Sequence, residues 1–191
     1  MESLDAAAVA LVRAGDRDAF RPIVDRYSQM LFRLAYRITG NETDAEEVVQ
    51  ETFLRGYRKL DSFDGRSSLA TWLFRIATNC SLDLISRRKL QPQLISDTDD
   101  SETAPEEQVS SEQPSPERLL YSSEMRANIR RALESLSNDE RAAFVLRHVE
   151  GCSTEEIAAA LNVRSGTARQ SLFRAVAKMR KSLAPAMRSA R

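Results

Sequence analysis

The chain has 191 residues, 42% of them hydrophobic, and its 28 basic residues balance its 28 acidic residues. This hydrophobic fraction argues against a wholly disordered chain, and the longest apolar stretches, such as residues 5–12, fall far short of the roughly 20 residues that span a bilayer. The N-terminus also lacks a basic segment followed by an apolar one, so we expect a cytoplasmic protein. Because Cys80, Cys152 and His148 are too few ligands for a zinc site or a disulfide framework, we expect reduced thiols, no metal and no cofactor.

The first 60 residues contain two amphipathic helical patterns. Apolar residues recur at spacings of three and four from Phe20 to Ile38, which predicts a helix that ends at Gly40. Thr43 and Glu46 have the spacing of a capping box, which would begin a second helix that runs to about residue 60. The predicted buried stripe of this second helix consists of Ala45, Val48, Val49, Phe53 and Leu54.

The predicted exposed face of the second helix is acidic and carries Asp44, Glu47, Gln50 and Glu51. Such a face is unsuited to DNA, so a protein surface is the candidate partner. The alternative is a solvated face with no binding role, because charged surface residues need no function.

Residues 61–68 contain Gly65 and predict a loop before a third helix. Ser67 or Ser68 can cap this helix, whose apolar residues run from Trp72 to Ile85. No segment of the first 90 residues alternates as a strand does. We therefore expect an all-α domain over residues 1–90.

Residues 91–118 have a different composition. They contain four prolines and many acidic and serine residues, and residues 91–120 hold 8 acidic and 1 basic residue, a net charge of −7. Such a segment cannot bury enough apolar surface to offset the entropy lost on ordering. We interpret residues 91–118 as a disordered acidic linker between two small helical domains.

Residues 119–191 predict the second helical domain. Ser153 and Glu156 form a capping box before a short helix, and residues 162–166 predict a turn into a basic last helix, a succession typical of a helix-turn-helix. Residues 121–191 hold 13 basic and 7 acidic residues, a net charge of +6. A basic domain of this kind is typical of phosphate-backbone binding.

The last helix has five side chains outside its predicted apolar stripe: Arg169, Gln170, Phe173, Arg174 and Lys178. Arginine bonds both O6 and N7 of guanine, and glutamine bonds both N6 and N7 of adenine, so Arg169, Gln170 and Arg174 have the chemistry for base reading in a major groove. The alternative is a solvated basic face.

Three stretches of the chain resemble a known family. The sequences DAEEVVQETFL at Asp44–Leu54 and SSLATWLFRIATN at Ser67–Asn79 resemble the second conserved region of sigma factors, and EGCSTEEIAAALNVRSGTARQSLFRA at Glu150–Ala175 resembles their fourth region. With the linker between them, they make the chain similar to the extracytoplasmic-function sigma factors of bacterial RNA polymerase. The resemblance implies a protein that recruits the polymerase to promoters and has no catalytic activity.

The resemblance also implies partners and site residues. The partners would be core RNA polymerase, promoter DNA and an anti-sigma factor, with no small-molecule substrate. The residues for core polymerase are Asp44, Glu47, Gln50 and Glu51. Those for the −10 element, including a loop that captures a flipped base, are Phe63, Asp64, Gly65, Arg66, Ser67, Ser68, Trp72 and Asn79. Those for the −35 element are Arg164, Thr167, Arg169, Gln170, Phe173 and Arg174.

One departure from the family affects the expected mechanism. Leu73 stands where housekeeping sigma factors have a second tryptophan, so we expect one stacking platform for DNA melting to be missing.

The alternative functions are a helix-turn-helix regulator whose N-terminal helices bind another protein, and an enzyme. An enzyme is disfavoured because the sequence offers no cluster of nucleophile, base or metal ligands and no glycine-rich phosphate loop.

Overall fold

The computed structural model describes residues 2–90 and 116–189, and the side chains of residues 4–90 and 124–186. Over these ranges the chain forms helices and turns without a strand, which confirms the predicted all-α class. The helices are α1 (Glu2–Arg13), α2 (Arg21–Thr39), α3 (Glu42–Lys59), α4 (Leu69–Leu90), α5 (Pro116–Glu134), α6 (Asn138–His148), α7 (Thr154–Ala160) and α8 (Ser165–Ser189). Short 3₁₀ turns, Asp18–Phe20 and Leu60–Ser62, precede α2 and follow α3. Among the described helices, none has the length and apolar character needed to cross a bilayer.

Of the predicted linker, the structure describes only the last three residues. Helix α5 begins at Pro116, so the last three residues of the predicted linker are helical, and residues 91–115 lie outside the described residues. A proline fits the first position of a helix because its missing N–H is one that the helix does not use. The N-terminal helix α1 was not predicted from the sequence.

The caps show how local sequence sets the helix bounds. Gly40 ends α2 in the left-handed conformation, at φ 77°, as predicted. Asn41 then caps α3: its side chain accepts a hydrogen bond from the backbone N–H of Asp44 at 2.9 Å. The predicted capping box of Thr43 and Glu46 is therefore wrong, because the chain leaves the Gly40 turn already extended at Asn41 and the helix begins one residue later. Ser68 caps α4, since its hydroxyl accepts from the N–H of Thr71 at 3.1 Å.

Helices α2, α3 and α4 pack together around a shared core in the first half of the chain. Its largest fully buried side chains are Ile23, Leu31, Leu34, Ile38, Val48, Leu60 and Leu73. Gly56 lets α3 approach α4 closely, because a Cβ there would lie only 3.3 Å from the Leu73 side chain. This packing fixes which faces of α3 and α4 reach the surface.

The second half contains the predicted helix-turn-helix in α7 and α8. Ser153 and Glu156 form the predicted capping box at the start of α7, and Ser137 and Glu140 form a second one at the start of α6. The turn between α7 and α8 includes Asn162 in the left-handed region at φ 53°, which asparagine adopts more readily than most residues. Ala168 is fully buried and so fixes the rotation of α8 about its axis.

The two halves share one hydrophobic cluster. Helix α4 packs against α7, and α2 packs against α6. The guanidinium of Arg141 on α6 donates to the carbonyl oxygen of Ile38 on α2 at 3.0 Å and to that of Leu133 on α5 at 2.9 Å. Polar and apolar contacts therefore join the two halves in this structure.

Candidate protein and nucleic-acid interfaces

The acidic face of α3 is smaller than the sequence suggested. Glu47 and Gln50 are exposed, and Glu51 is half-buried with its carboxylate 2.6 Å from the guanidinium of Arg55. Asp44 is only 3% exposed and pairs with Arg88 at the end of α4. Burial raises the pKa of Asp44, although the charge of Arg88 acts in the opposite direction. The expectation that Asp44 is exposed is wrong, because the first turn of α3 packs against the last turns of α4.

An apolar side chain lies beside the exposed acidic residues. Leu54, which was predicted to lie in the buried stripe, is 53% exposed. By helical periodicity it lies on the same face as Glu47 and Gln50, seven and four residues before it. Tyr57, one turn further on, is also exposed and contacts Phe20 edge-on, with ring centroids 5.2 Å apart. The face therefore combines two free polar groups with a projecting leucine.

The loop of residues 63–68 lies between the Leu60–Ser62 turn and α4. Gly65 has φ 73°, and on either side of it the Asp64 carboxylate accepts from the N–H of Arg66 at 3.1 Å and pairs with its guanidinium, also at 3.1 Å. Asp64, Gly65, Arg66 and Ser68 are exposed and Ser67 is half-buried. Phe63 is half-buried against the Trp72 ring, 5.4 Å between centroids. The loop thus presents polar groups and backbone to solvent beside an aromatic pair.

On α4 the predicted DNA-binding residues are partly accessible. Trp72 and Asn79 are both half-buried and lie two turns apart on one face of the helix. The side-chain amide of Asn79 donates to the carbonyl oxygen of Arg75 at 2.8 Å, which leaves its own oxygen directed elsewhere. Leu73 is fully buried against Gly56. Its side chain therefore offers no stacking surface to a base in this structure, and the expected effect of Leu73 on DNA melting stays a prediction.

The predicted base-reading face of α8 is exposed. Arg164, Thr167, Arg169, Gln170 and Arg174 all face solvent, and Phe173 is 76% exposed. None of the ion pairs in the described part of the chain involves the three arginines of this set. Their charges are therefore available to an anionic partner.

Lys178, the fifth predicted outward residue of α8, behaves differently from the others. Its ammonium lies 2.6 Å from the carboxylate of Glu140 on α6. Burial disfavours the ionised Glu140, but hydrogen bonds from Lys178 and from the Ser137 backbone outweigh it, so the pKa of this carboxyl is lowered. Lys178 therefore anchors α8 to α6 and is not a free charge on the outward face.

The described residues offer little for covalent or metal chemistry. Nowhere in the described ranges do three or more histidine, cysteine or acidic residues come close enough to hold a metal ion. Both cysteines are buried, and burial raises the pKa of the Cys152 thiol to about 11. A thiol with such a pKa is almost wholly protonated at neutral pH and is a poor nucleophile.

Comparison with known proteins identifies the family. Residues 23–91 match the family Sigma-70 region 2, and residues 126–179 match Sigma-70, region 4. The ECF RNA polymerase sigma factor SigW of Bacillus subtilis is 34% identical over 189 residues, which cover 96% of this chain and 98% of that protein. The ECF RNA polymerase sigma-E factor of Escherichia coli is 38% identical over 172 residues, which cover 90% of each.

Solved structures show the same fold. CnrH, in complex with the cytosolic domain of CnrY, has a TM-score of 0.65 and 26% identity, with 95% of this chain and 98% of that chain covered. The sigma factor RpoE of Bartonella quintana, in complex with the anti-sigma factor NepR, has a TM-score of 0.63 and 23% identity, with 86% and 96% covered.

Proposed function

Because this chain belongs to the extracytoplasmic-function sigma factors of bacterial RNA polymerase, we propose that three of its surfaces divide the work of promoter-specific initiation. The exposed face of α3 binds core polymerase, the 63–68 loop with the Trp72 face of α4 binds the −10 element, and the exposed face of α8 binds the −35 element. The first two surfaces belong to a domain of residues 1–90 and the third to a domain of residues 119–191, with residues 91–118 as the connection.

The polymerase-binding surface consists of Glu47, Gln50, Glu51 and Leu54. Protein interfaces combine an apolar anchor with a polar rim, and the projecting Leu54 beside free polar groups has this composition. Asp44 has no direct role in this proposal, because it is buried and paired with Arg88. Its contribution is to hold the first turn of α3 against α4.

The −10 surface consists of the exposed loop and the partly accessible Trp72 and Asn79. A flipped base needs both a stacking partner and hydrogen-bonding groups along its edge. The tilted Phe63–Trp72 pair supplies the first, and the polar side chains and backbone of residues 64–68 supply the second.

The exposure of basic and amide side chains on α8, which form the −35 surface, is the observation that supports the proposal most directly. Helix α8 follows a tight turn, and the buried Ala168 sets the orientation of the helix about its axis. In this orientation Arg169, Gln170 and Arg174 face solvent. We assign these three to base edges and Arg164 and Thr167, at the start of the helix, to phosphates.

The remaining parts of the proposal concern partners and chemistry. We propose that the protein acts in the cytoplasm, where the polymerase is, that it has no catalytic activity of its own, and that an anti-sigma factor controls it. RpoE of Bartonella quintana, which has the same fold, is bound by such a factor.

Run-off transcription with purified core polymerase tests this function. The chain added to core polymerase should yield transcripts with a defined start from its promoters, and core polymerase alone should not. A helix-turn-helix regulator would require a separate sigma factor, and an enzyme would leave initiation unchanged. Absence of any defined start in a reaction where the chain binds core polymerase would refute promoter recognition.

A further inference from the structure

Arg13, the last residue of α1, bonds to the base of the 63–68 loop. Its guanidinium donates to the carbonyl oxygen of Leu60 at 2.8 Å, to that of Asp61 at 3.3 Å, and to that of Phe63 at shorter range. These carbonyls belong to the turn through which the chain leaves α3 and enters the loop. A single planar group therefore holds the first segment of the loop from one side.

The partners of Arg13 are backbone groups rather than a carboxylate. In the described part of the chain, no ion pair involves Arg13. All three contacts are made by one nitrogen of the guanidinium, Nη2, whose two N–H groups are shared among the three carbonyl oxygens, so these carbonyls converge on a single point. The interaction thus fixes backbone geometry rather than compensating a charge.

The other end of α1 is anchored independently. The Asp5 carboxylate accepts from the guanidinium of Arg26 and from the hydroxyl of Tyr27, both at 2.7 Å, and both partners are on α2. Burial and the bond to Asp5 raise the pKa of Tyr27 to about 12, so this hydroxyl remains a donor. Val9, between the two ends, is buried. Helix α1 is therefore bonded to α2 near its first turn and to the base of the loop at its last residue.

The far end of the loop has its own constraint, the Ser68 cap at the start of α4. Between Arg13 and Ser68, the exposed part of the loop is held mainly by the contacts of Asp64 with Arg66. The conformation of residues 64–67 thus depends on where its two ends are fixed. Arg13 lies outside residues 23–91, the part of the chain that matches Sigma-70 region 2.

We propose that Arg13 is a positioning residue for −10 recognition: it sets the geometry of the base-capturing loop through its carbonyl contacts, without touching DNA. The inference rests on the proposed role of the loop. Loss of Arg13 leaves the loop present but variably placed, so it lowers discrimination at the captured base and leaves the −35 contacts unaffected.

The test uses holoenzyme made from full-length protein and core polymerase, transcribing a template library randomised at the −10 and −35 positions, with transcripts sequenced. Arg13→Ala should lower the preference for the favoured captured base about tenfold, the factor that corresponds to about 1.4 kcal/mol at 25 °C. The −35 preferences and core affinity should not change. Arg13→Lys should recover part of the preference, because an ammonium can bind some of the same carbonyls.

Arg17→Ala is the matched control, since Arg17 is an exposed arginine four residues away with no side-chain hydrogen bond to the loop. It should behave as the unmodified protein. An Arg13→Ala protein with unchanged −10 preferences, or with −10 and −35 preferences weakened alike, would overturn the inference; if that variant does not fold, the same criterion is applied to Arg13→Met, which keeps an unbranched side chain without a donor.

Asp64→Ala, within the loop itself, separates this inference from the proposed function. A changed −10 profile for Asp64→Ala beside an unchanged one for Arg13→Ala would retain the loop as reader and reject Arg13. Unchanged profiles for both would reject the loop as reader and the inference with it.

Discussion

Replacement of Leu54 by alanine should weaken core polymerase binding without affecting the fold. Complete burial of a leucine side chain is worth about 1.5–3 kcal/mol. Since Leu54 is 53% exposed in the free protein, burial of the remaining half in the interface is worth about 0.8–1.6 kcal/mol by the same scale. The dissociation constant should rise roughly 4- to 15-fold at 25 °C, as measured by fluorescence anisotropy of labelled protein titrated with core polymerase.

Leu11→Ala supplies the control for this prediction. Leu11 is 52% exposed, almost the same as Leu54, but lies on α1. Its replacement removes the same side chain from a surface outside the proposed interface, so core affinity should stay within twofold of the original. An unchanged affinity for Leu54→Ala, or an equal loss for both variants, would refute the assignment of the α3 face as the apolar anchor of the interface.

Further predictions concern the other surfaces and two buried groups. Arg174→Ala should reduce discrimination at one −35 base pair by about 1–3 kcal/mol, whereas Arg164→Ala should weaken all promoters alike; binding to a set of base-substituted promoters distinguishes the two. Arg88→Ala should lower the free energy of unfolding by about 1–2 kcal/mol at pH 7, a reduced value for a buried pair because the Arg88 side chain is 57% exposed. This loss should shrink as pH falls through the raised pKa of Asp44, because the ion pair requires the ionised carboxylate. Urea denaturation of both proteins at pH 7 and at a pH below that pKa measures the change. A loss of stability that is independent of pH would contradict the ion pair. Cys152 should resist thiol reagents at pH 8 until the protein is unfolded, since its pKa is about 11; rapid labelling of the native protein at this residue would disprove its protection.

The features that could be predicted from the sequence are those set by neighbouring residues. The capping box of Ser153 and Glu156, the end of α2 at Gly40 and the cap at Ser68 each involve groups at most four residues apart. The exposed face of α8 was also predictable, because its apolar stripe repeats over several turns. Local chemistry and helical periodicity are sufficient in such cases.

The features that could not be predicted depend on contacts between distant residues. Asp44 is buried by Arg88, 44 residues later in the chain. The apolar pattern of α3 did not show that Leu54 projects to solvent, and that of α4 did not show that Leu73 is packed against Gly56. The contacts of Arg13 with a loop about 50 residues away have no signature in the sequence.

The core shared by the two halves imposes a conformational equilibrium on promoter binding. The −10 and −35 elements are named for their positions before the transcription start, so their centres are about 25 base pairs apart. At roughly 3.4 Å per base pair this separation is about 85 Å. Helix α4 packs directly on α7, and α7 on α8, so the two proposed DNA-reading faces lie far closer together than this. With the two faces assigned as proposed, both elements can be engaged at once only after the halves separate.

The chain length between the halves is sufficient for this separation. Residues 91–115 number 25, and a fully extended chain spans at most about 3.3–3.6 Å per residue, or roughly 80–90 Å in all. The apparent affinity for a complete promoter is then the intrinsic affinity reduced by the fraction of molecules that are open. A partner that binds the separated form removes this penalty, whereas one that binds the joined form increases it, so core polymerase and an inhibitor can oppose each other without competing for the same residue.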